Sequence, residues 1–348
     1  MSHLSPDRLA RSTPSPEDKD PAFTTNGSPH HIVITGGAGF VGSNLVRRCL
    51  AGGAHVTVLD DFSTGSEDNL PVGAPGLQIV RGSVTDFERV RQVVRDATIV
   101  IHAAARNIIV STRNPREDYE VNIGGTLNVL LAVRDSAVQR TVYTSSASVY
   151  GNPRYLPINE DDQTNLLSPY SVSKFAGESY CKVFYESYGL STAVVRYSNV
   201  FGPAQRPDNP YCGVIAKFFA CAMARQSVSI HGDGEQTRDF SYVDDVVEAT
   251  LLAAFSAKAE GQIYNIGTGR ETRINQLAAI ILDVTGARAA GIEPTYVDRR
   301  DIDNIRRRVL NIEKIRRELR WVPSTTIEQG LRKTYAWLCQ HTAPAAGT

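Results

Sequence analysis

Residues 35–42 read Thr35-Gly36-Gly37-Ala38-Gly39-Phe40-Val41-Gly42. The apolar run His31-Ile32-Val33-Ile34 leads into them, and residues 43–51 follow with Leu45, Val46 and Leu50 on one side. A short apolar run ending in glycines reads as a buried strand entering a tight turn, and the segment after it as a helix. The spacing is Gly36-x-x-Gly39-x-x-Gly42. Glycine permits the turn and lets the backbone approach an anion, while a helix N-terminus offers unpaired amides and partial positive charge. The next apolar strand, 55–59, ends at Asp60-Asp61. A carboxylate there suits the hydroxyls of an adenine ribose and repels a 2′-phosphate, which favours NAD over NADP. The competing reading is a glycine-rich turn with no ligand.

Outward from this stretch the chain alternates. Residues 77–80, 98–102 and 141–145 read as further strands, with helices at 87–95 and 125–136 between them. That alternation predicts an α/β fold: a doubly wound parallel sheet covered on both faces, with a smaller C-terminal substrate lobe. Beyond Tyr150 the order loosens. Residues 193–195 and 262–266 still look like sheet strands, and 202–239 are rich in Gly, Pro and polar residues. Helices are expected at 214–224, 243–256, 274–285, 312–319 and 327–338. The domains are therefore a disordered leader at 1–29, a dinucleotide-binding core at 30–190 that also receives strands near 193–200 and 262–266, and a lobe drawn mainly from 202–340. The leader is rich in Ser, Pro, Asp and Thr and lacks the apolar stretch of a signal peptide. The tail from Thr342 is expected to fray.

The chain has 348 residues, 42% hydrophobic, and zero formal net charge. Balanced charge gives no reason to expect nucleic acid or a membrane surface as partner. The five cysteines are scattered, without a CxxC pair, and read as reduced thiols of a cytoplasmic protein, not as a metal site or disulfide framework. No apolar run is long enough to span a bilayer.

A second constellation lies downstream. Tyr170-Ser171-Val172-Ser173-Lys174 is expected on a helix that starts near Pro169 with Ser168 as its N-cap. Spacing of four puts Tyr170 and Lys174 on one face. The ammonium is expected to lower the phenol pKa, so that the tyrosinate takes a proton near neutral pH. Tyrosine and lysine at this spacing also occur on ordinary surface helices; the glycine loop in the same chain gives the pair its meaning. Ser145-Ser146-Ala147-Ser148-Val149-Tyr150-Gly151 follows an apolar strand, so a hydroxyl there either faces a ligand crevice or merely caps a turn.

Together these residues resemble the extended short-chain dehydrogenase/reductase family, specifically its NAD-dependent nucleotide-sugar epimerases and dehydratases of the UDP-glucose 4-epimerase type. The likeness runs from about His31 to Trp337. It includes the glycine loop, Asp60, His102-Ala103-Ala104-Ala105, Asn122 in Val121-Asn122-Ile123-Gly124-Gly125-Thr126, the serine run and the Tyr170–Lys174 pair. It continues through Arg196-Tyr197-Ser198-Asn199-Val200-Phe201-Gly202-Pro203, residues 232–240, Tyr264-Asn265-Ile266-Gly267 and Trp321-Val322-Pro323.

The resemblance implies a Rossmann-like core and roles by position. Tyr170 is the base, Lys174 its electrostatic partner, and Ser146 the hydroxyl that bonds the sugar's 4-oxygen. Gly36, Gly39, Phe40, Val41, Gly42, Asp60, Ser83, Val84, Ala103, Ala104, Ala105, Asn122 and Tyr197 join Tyr170 and Lys174 around NAD. Asn199, Val214, Lys217, Arg238, Arg300 and Asp303 join Ser146 on a nucleotide sugar. No metal is implied. The 170–188 helix pairs with the 125–136 helix across a homodimer two-fold. Departures are Gly82-Ser83, where the family often has Gly-Asp, Ser198 for a frequent aromatic, Asn107 for an occasional basic residue, and Arg300-Asp301-Ile302-Asp303 for Arg-x-Gly-Asp.

The implied activity is inversion at C4 of a UDP-hexose such as UDP-glucose/UDP-galactose, or of UDP-glucuronate, through a transient 4-keto sugar. Related dehydratases and decarboxylases carry carboxyl residues before the Val-Tyr-Gly, where this chain has Ala147-Ser148. A reductase or dehydrogenase that keeps the ketone shares every catalytic residue, and a non-catalytic dinucleotide sensor normally loses the tyrosine or lysine. The run Arg306-Arg307-Arg308 is either a solvated basic face or a reader of a uronic carboxylate.

Overall fold

The computed structural model describes residues 23–25, 28–205, 213–299 and 305–341. Its centre is a seven-stranded sheet of β1 (His31–Thr35), β2 (His55–Asp60), β3 (Leu77–Arg81), β4 (Ile99–His102), β5 (Arg140–Ser146), β6 (Thr192–Tyr197) and β7 (Gln262–Ile266). The order is β3-β2-β1-β4-β5-β6-β7, and every neighbouring pair is parallel. The chain winds outward one way from β1 and then the other way from β4, so a crevice opens between the carboxyl ends of β1 and β4. Both glycine-loop ends and the residues after His102 open onto it, because Thr35 pairs with His102 in register.

The longer helices are α1 (Phe40–Ala51), α2 (Phe87–Val94), α3 (Gly125–Arg134), α4 (Pro169–Tyr188), α5 (Val214–Met223), α6 (Val243–Phe255), α7 (Ile274–Val284), α8 (Glu313–Leu319) and α9 (Ile327–His341). Both sheet faces are covered, which explains why β1 reads as an unbroken apolar run and not as alternation. Ile32 and Ile34 pack with Leu45 and Val46 of α1 and Val246 of α6. Val33 points the other way, to Val90 of α2 and Val129 and Val133 of α3. On that side α4 lays Cys181 and Phe184 against Leu130, Tyr143 and Val194. The approach of α4 to β5 requires Gly177: a Cβ there would lie 2.3 Å from the Tyr143 hydroxyl.

A second apolar cluster joins α5, α7 and α9 through Phe218, Phe219, Leu277, Ile281 and Leu331. This lobe is not contiguous in sequence. Within the 202–340 stretch, α6 and α8 with Trp321 pack into the core of the large sheet. Ordered packing also begins before residue 30. Phe23 is buried, sits edge-on to Phe255 with ring centroids 5.1 Å apart, and lies under the Arg48 guanidinium. Thr24–Thr25 and Ser28–Pro29 form a small antiparallel pair. These residues fall in the stretch read from composition as leader; one aromatic ring with a core pocket outweighs its polar surroundings. The rest of that stretch, the tail from 342, and Arg300 and Asp303 lie outside the described residues. Among the described residues no helix is long and apolar enough to cross a membrane, and no cluster of three potential metal ligands occurs.

Candidate active site

The crevice is a cavity of about 770 Å³. Gly36, Gly39, Phe40, Val41 and Gly42 form its floor. Gly36 has φ +70°, and a Cβ there would stand 2.6 Å from the Ala104 amide nitrogen. The helix α1 starts at Gly39 with no side-chain cap and no acid in its first turn, so its amide end stays open to an anion. Asp60 from β2, Ser83 and Val84 after β3, and Ala103, Ala104 and Ala105 after β4 form the walls. Tyr170 and Lys174 from α4 and Tyr197 from β6 close the inner end.

Each side chain is there for a local reason. Ser168 caps α4 in a reciprocal box: Ser171 N donates to Ser168 Oγ at 3.1 Å, and Ser168 N donates to Ser171 Oγ at 3.0 Å. Pro169 opens the helix, which brings Tyr170 and Lys174 one turn apart to the cavity. Asp60 Oδ2 accepts from Ala38 N at 2.9 Å and Oδ1 from Phe62 N at 2.8 Å. It therefore organises the glycine loop and its own turn, with lone pairs left for a ribose. Burial raises its pKa, opposed by those two amides.

Burial dominates the ionisation of the Tyr170–Lys174 pair. Burial pushes the Tyr170 phenol up to about 12, and a hydrogen bond with Ser146 opposes the rise. Burial also pulls Lys174 down to about 8, against the pull of Asp118, Glu178 and Cys181. The Lys174 ammonium donates to Thr144 O at 2.8 Å and lies 5.8 Å from the Tyr170 ring centroid. In this arrangement the Ser146 hydrogen bond favours the ionised phenol, and burial opposes the charged form of both groups.

Behind the pair lie Glu178, whose role sequence reading missed, and Asn122, which it placed at the cofactor. Glu178, one turn beyond Lys174, accepts from Ser145 Oγ and forms a buried ion pair with Arg196, at 2.6 Å from Arg196 Nη2. Arg196 Nη1 continues to Tyr150 Oη at 2.7 Å. Asn122 sits beneath the cavity, not on its wall, and bonds Asp118 and Ser173. Arg106 lines the cavity and donates to Asp61, Ser63 and Glu117, tying the loop after β2 to the segment after β4. Only contacts between distant segments reveal these roles.

The sugar-side residues are not brought onto the same wall. Ser146 meets Tyr170 and caps the turn at Ser148 N, 3.1 Å away. Asn199 lies on a short strand beside β6 that pairs with Phe240–Tyr242. Val214 and Lys217 are on the first turn of α5. Arg238 Nη1 donates to Thr237 O and Ile305 O. None of these five lines the cavity. The basic run divides: Arg306 pairs with Asp233 and Arg307 with Glu271 at the surface, whereas Arg308 is buried.

One prediction concerns the floor. Gly36→Ala should lower the melting temperature and strip nucleotide from the purified protein, because the methyl meets the Ala103–Ala104 backbone and φ +70° is strained for alanine. Thermal melts and absorbance of heat-released nucleotide check it.

The cradle without Cβ atoms, the open helix terminus and the carboxylate at the end of β2 fit a dinucleotide. Comparison with known proteins agrees. Residues 32–267 match the NAD dependent epimerase/dehydratase family. The putative UDP-glucose 4-epimerase of Methanocaldococcus jannaschii is 37% identical over 310 residues, covering 88% of this chain and 98% of that one. The UDP-glucose 4-epimerase of Thermotoga maritima, solved with UDP-glucose, superposes with a TM-score of 0.84 at 35% identity, covering 89% and 99% of the two chains. The Thermus thermophilus UDP-glucose 4-epimerase in complex with NAD gives 0.81 at 34% identity, covering 90% and 100%. A UDP-N-acetyl-alpha-D-glucosaminuronate decarboxylase of Bacillus cytotoxicus is also similar, 32% identical over 88% of this chain and 96% of its own. The chain thus belongs to the NAD-dependent epimerase/dehydratase family of nucleotide-sugar enzymes.

Proposed function

We infer that the protein inverts C4 of a UDP-hexose, with UDP-glucose and UDP-galactose as the substrate pair, through a transient 4-keto sugar. The observation that carries this is the Ser146–Tyr170–Lys174 group with no carboxyl residue among 145–150. The carboxylates lining the cavity, Asp60, Asp61 and Asp68, all come from β2 and the loop after it. Dehydration needs an acid and a base beside the sugar, and Ala147 and Ser148 supply neither.

NAD, held by the glycine loop, Asp60 and Lys174, supplies the hydride acceptor and donor when bound. Tyr170 takes the 4-hydroxyl proton and later returns it. Ser146 bonds the same oxygen and favours the tyrosinate. Lys174 adds positive charge at the inner end. Asn199 and Arg238 are our candidates for holding the sugar diphosphate, with Val214, Lys217, Arg300 and Asp303 as further candidates around the nucleotide sugar; anchoring at the diphosphate leaves the sugar free to turn. Arg306 and Arg307 already have acidic partners, which favours a neutral hexose over a uronate.

A reductase or dehydrogenase would need stoichiometric external cofactor. On adding UDP-glucose and excess NAD, no lasting rise in absorbance at 340 nm is expected; a stoichiometric rise would establish the redox reading. We also propose a homodimer through α3 and α4, since Val172, Val183 and Tyr188 of α4 are about half exposed. Light scattering should give twice the chain mass.

A further inference from the structure

The geometry points to Arg106 as a strap that locks the dinucleotide into its crevice: the guanidinium joins the two rims of the cavity, and the nucleotide enters or leaves when it lets go. This rests on the reading of the cavity as an NAD site.

One rim is the loop after β2, where Asp61, Ser63, Thr64 and Gly65 line the cavity; the other is Ala103–Asn107, after β4. Arg106 stands on the second rim, and its backbone is held independently of its side chain. Arg106 N donates to Asn122 Oδ1 at 2.7 Å, and Arg106 O accepts from Asn122 Nδ2 at 3.0 Å. The side chain then spans the gap. Its Nη2 donates to Asp61 Oδ2 at 2.9 Å and its Nη1 to Ser63 Oγ at 2.6 Å. Ser63 Oγ in turn donates to Asp61 Oδ1 at 2.6 Å, which closes a ring of three side chains. Arg106 Nε donates to Glu117 Oε1 at 2.6 Å, on the short helix Pro115–Asp118, and Glu117 does not line the cavity.

Two features separate this from an arginine that reads a phosphate. The first is charge. Two carboxylates, Asp61 and Glu117, pair with the one guanidinium, so its charge is spent on protein and not left over for a diphosphate. The Arg106 side chain is only 12% exposed, so salt and water screen these pairs incompletely. The second is the state of the loop it grips. Phe62, between Asp61 and Ser63, has φ +59°, a sparsely populated conformation for a bulky side chain. Such a conformation persists where its surroundings over-determine it. Asp60 Oδ1 holds Phe62 N, Asp61 Oδ1 holds Ser63 N, and Arg106 fixes Asp61 and Ser63 from across the cavity. Loops that close over a bound molecule set the rate at which it exchanges.

The test uses NADH as the probe. Protein reconstituted with NADH is mixed with excess NAD, and the decay of bound-nucleotide fluorescence gives the release rate. Arg106→Met keeps the aliphatic stem and removes the fork. It should release NADH about tenfold to a hundredfold faster, because charge-assisted bonds between the rims are lost. Association should quicken as well, since a strap bars entry as it bars exit. Glu117→Gln alters no cavity wall and should speed release about threefold, by loosening the far anchor of the same guanidinium. Thermal melts check folding, and Glu117→Gln decides alone if Arg106→Met does not fold. Faster release from Arg106→Met with an unchanged rate in Glu117→Gln would mean that the guanidinium grips the nucleotide itself, and would overturn the strap. Release at the parent rate in both variants would overturn it too. A parent protein that binds no NADH would remove the nucleotide reading of the cavity, and the strap with it.

Discussion

Tyr170→Phe should lower kcat by about 10³-fold, within the 10²–10⁴ that one proton-transferring group contributes. The substitution removes one oxygen and keeps the ring that lines the cavity, so the fold and the bound nucleotide should survive. Ser146 loses its partner but still accepts from Ser148 N. Steady-state assays, a thermal melt and nucleotide content of the purified variant check this together. A variant with more than a tenth of the parent kcat would mean that another group moves the proton.

The second large effect is on stability. Glu178→Ala should cost about 3–5 kcal/mol, the range for removing one member of a buried ion pair. Arg196 is 3% exposed and Glu178 2%, so solvent cannot screen the charge that remains. Arg196 would retain Tyr150 Oη and Glu160 O, neither of them an anion. Ser145 would lose its acceptor at the edge of the active site. Urea unfolding measures the loss. A change below about 1 kcal/mol would mean that water reaches the guanidinium when its partner is gone.

Most of the sheet was legible because its signals are local. The run Ile32-Val33-Ile34 ahead of glycines could only be a strand buried on both faces, and residues 262–266 were bounded as the structure has them. Ser168 as a cap and Pro169 as the first helical residue were equally plain. The wall of the cavity was readable for the same reason: glycine loop, Asp60, Ser83 and Ala103–Ala105 all stand where a strand ends. What escaped depends on long-range contact. Ser173 and Asp118 meet across 55 positions, and nothing in a Pro-Arg-Glu-Asp stretch announces a carboxyl group beneath α4. Phe23 was hidden by its polar neighbours. Spacing alone suggests the lysine's pull on the phenol, whereas the burial that opposes the charged form of both groups comes from how α4 packs. The smaller lobe was least readable, since Asn199, Lys217 and Arg238 come from separate elements whose placement depends on how the lobe folds.

The most direct test is to incubate the purified protein, without added NAD, with UDP-glucose carrying deuterium at C4 and to follow the sugar by NMR. The expected result is UDP-galactose with the deuterium still at C4, since the atom leaves and returns within one closed site. No C4-inverted product, or an inverted product that has lost its deuterium, would contradict the account.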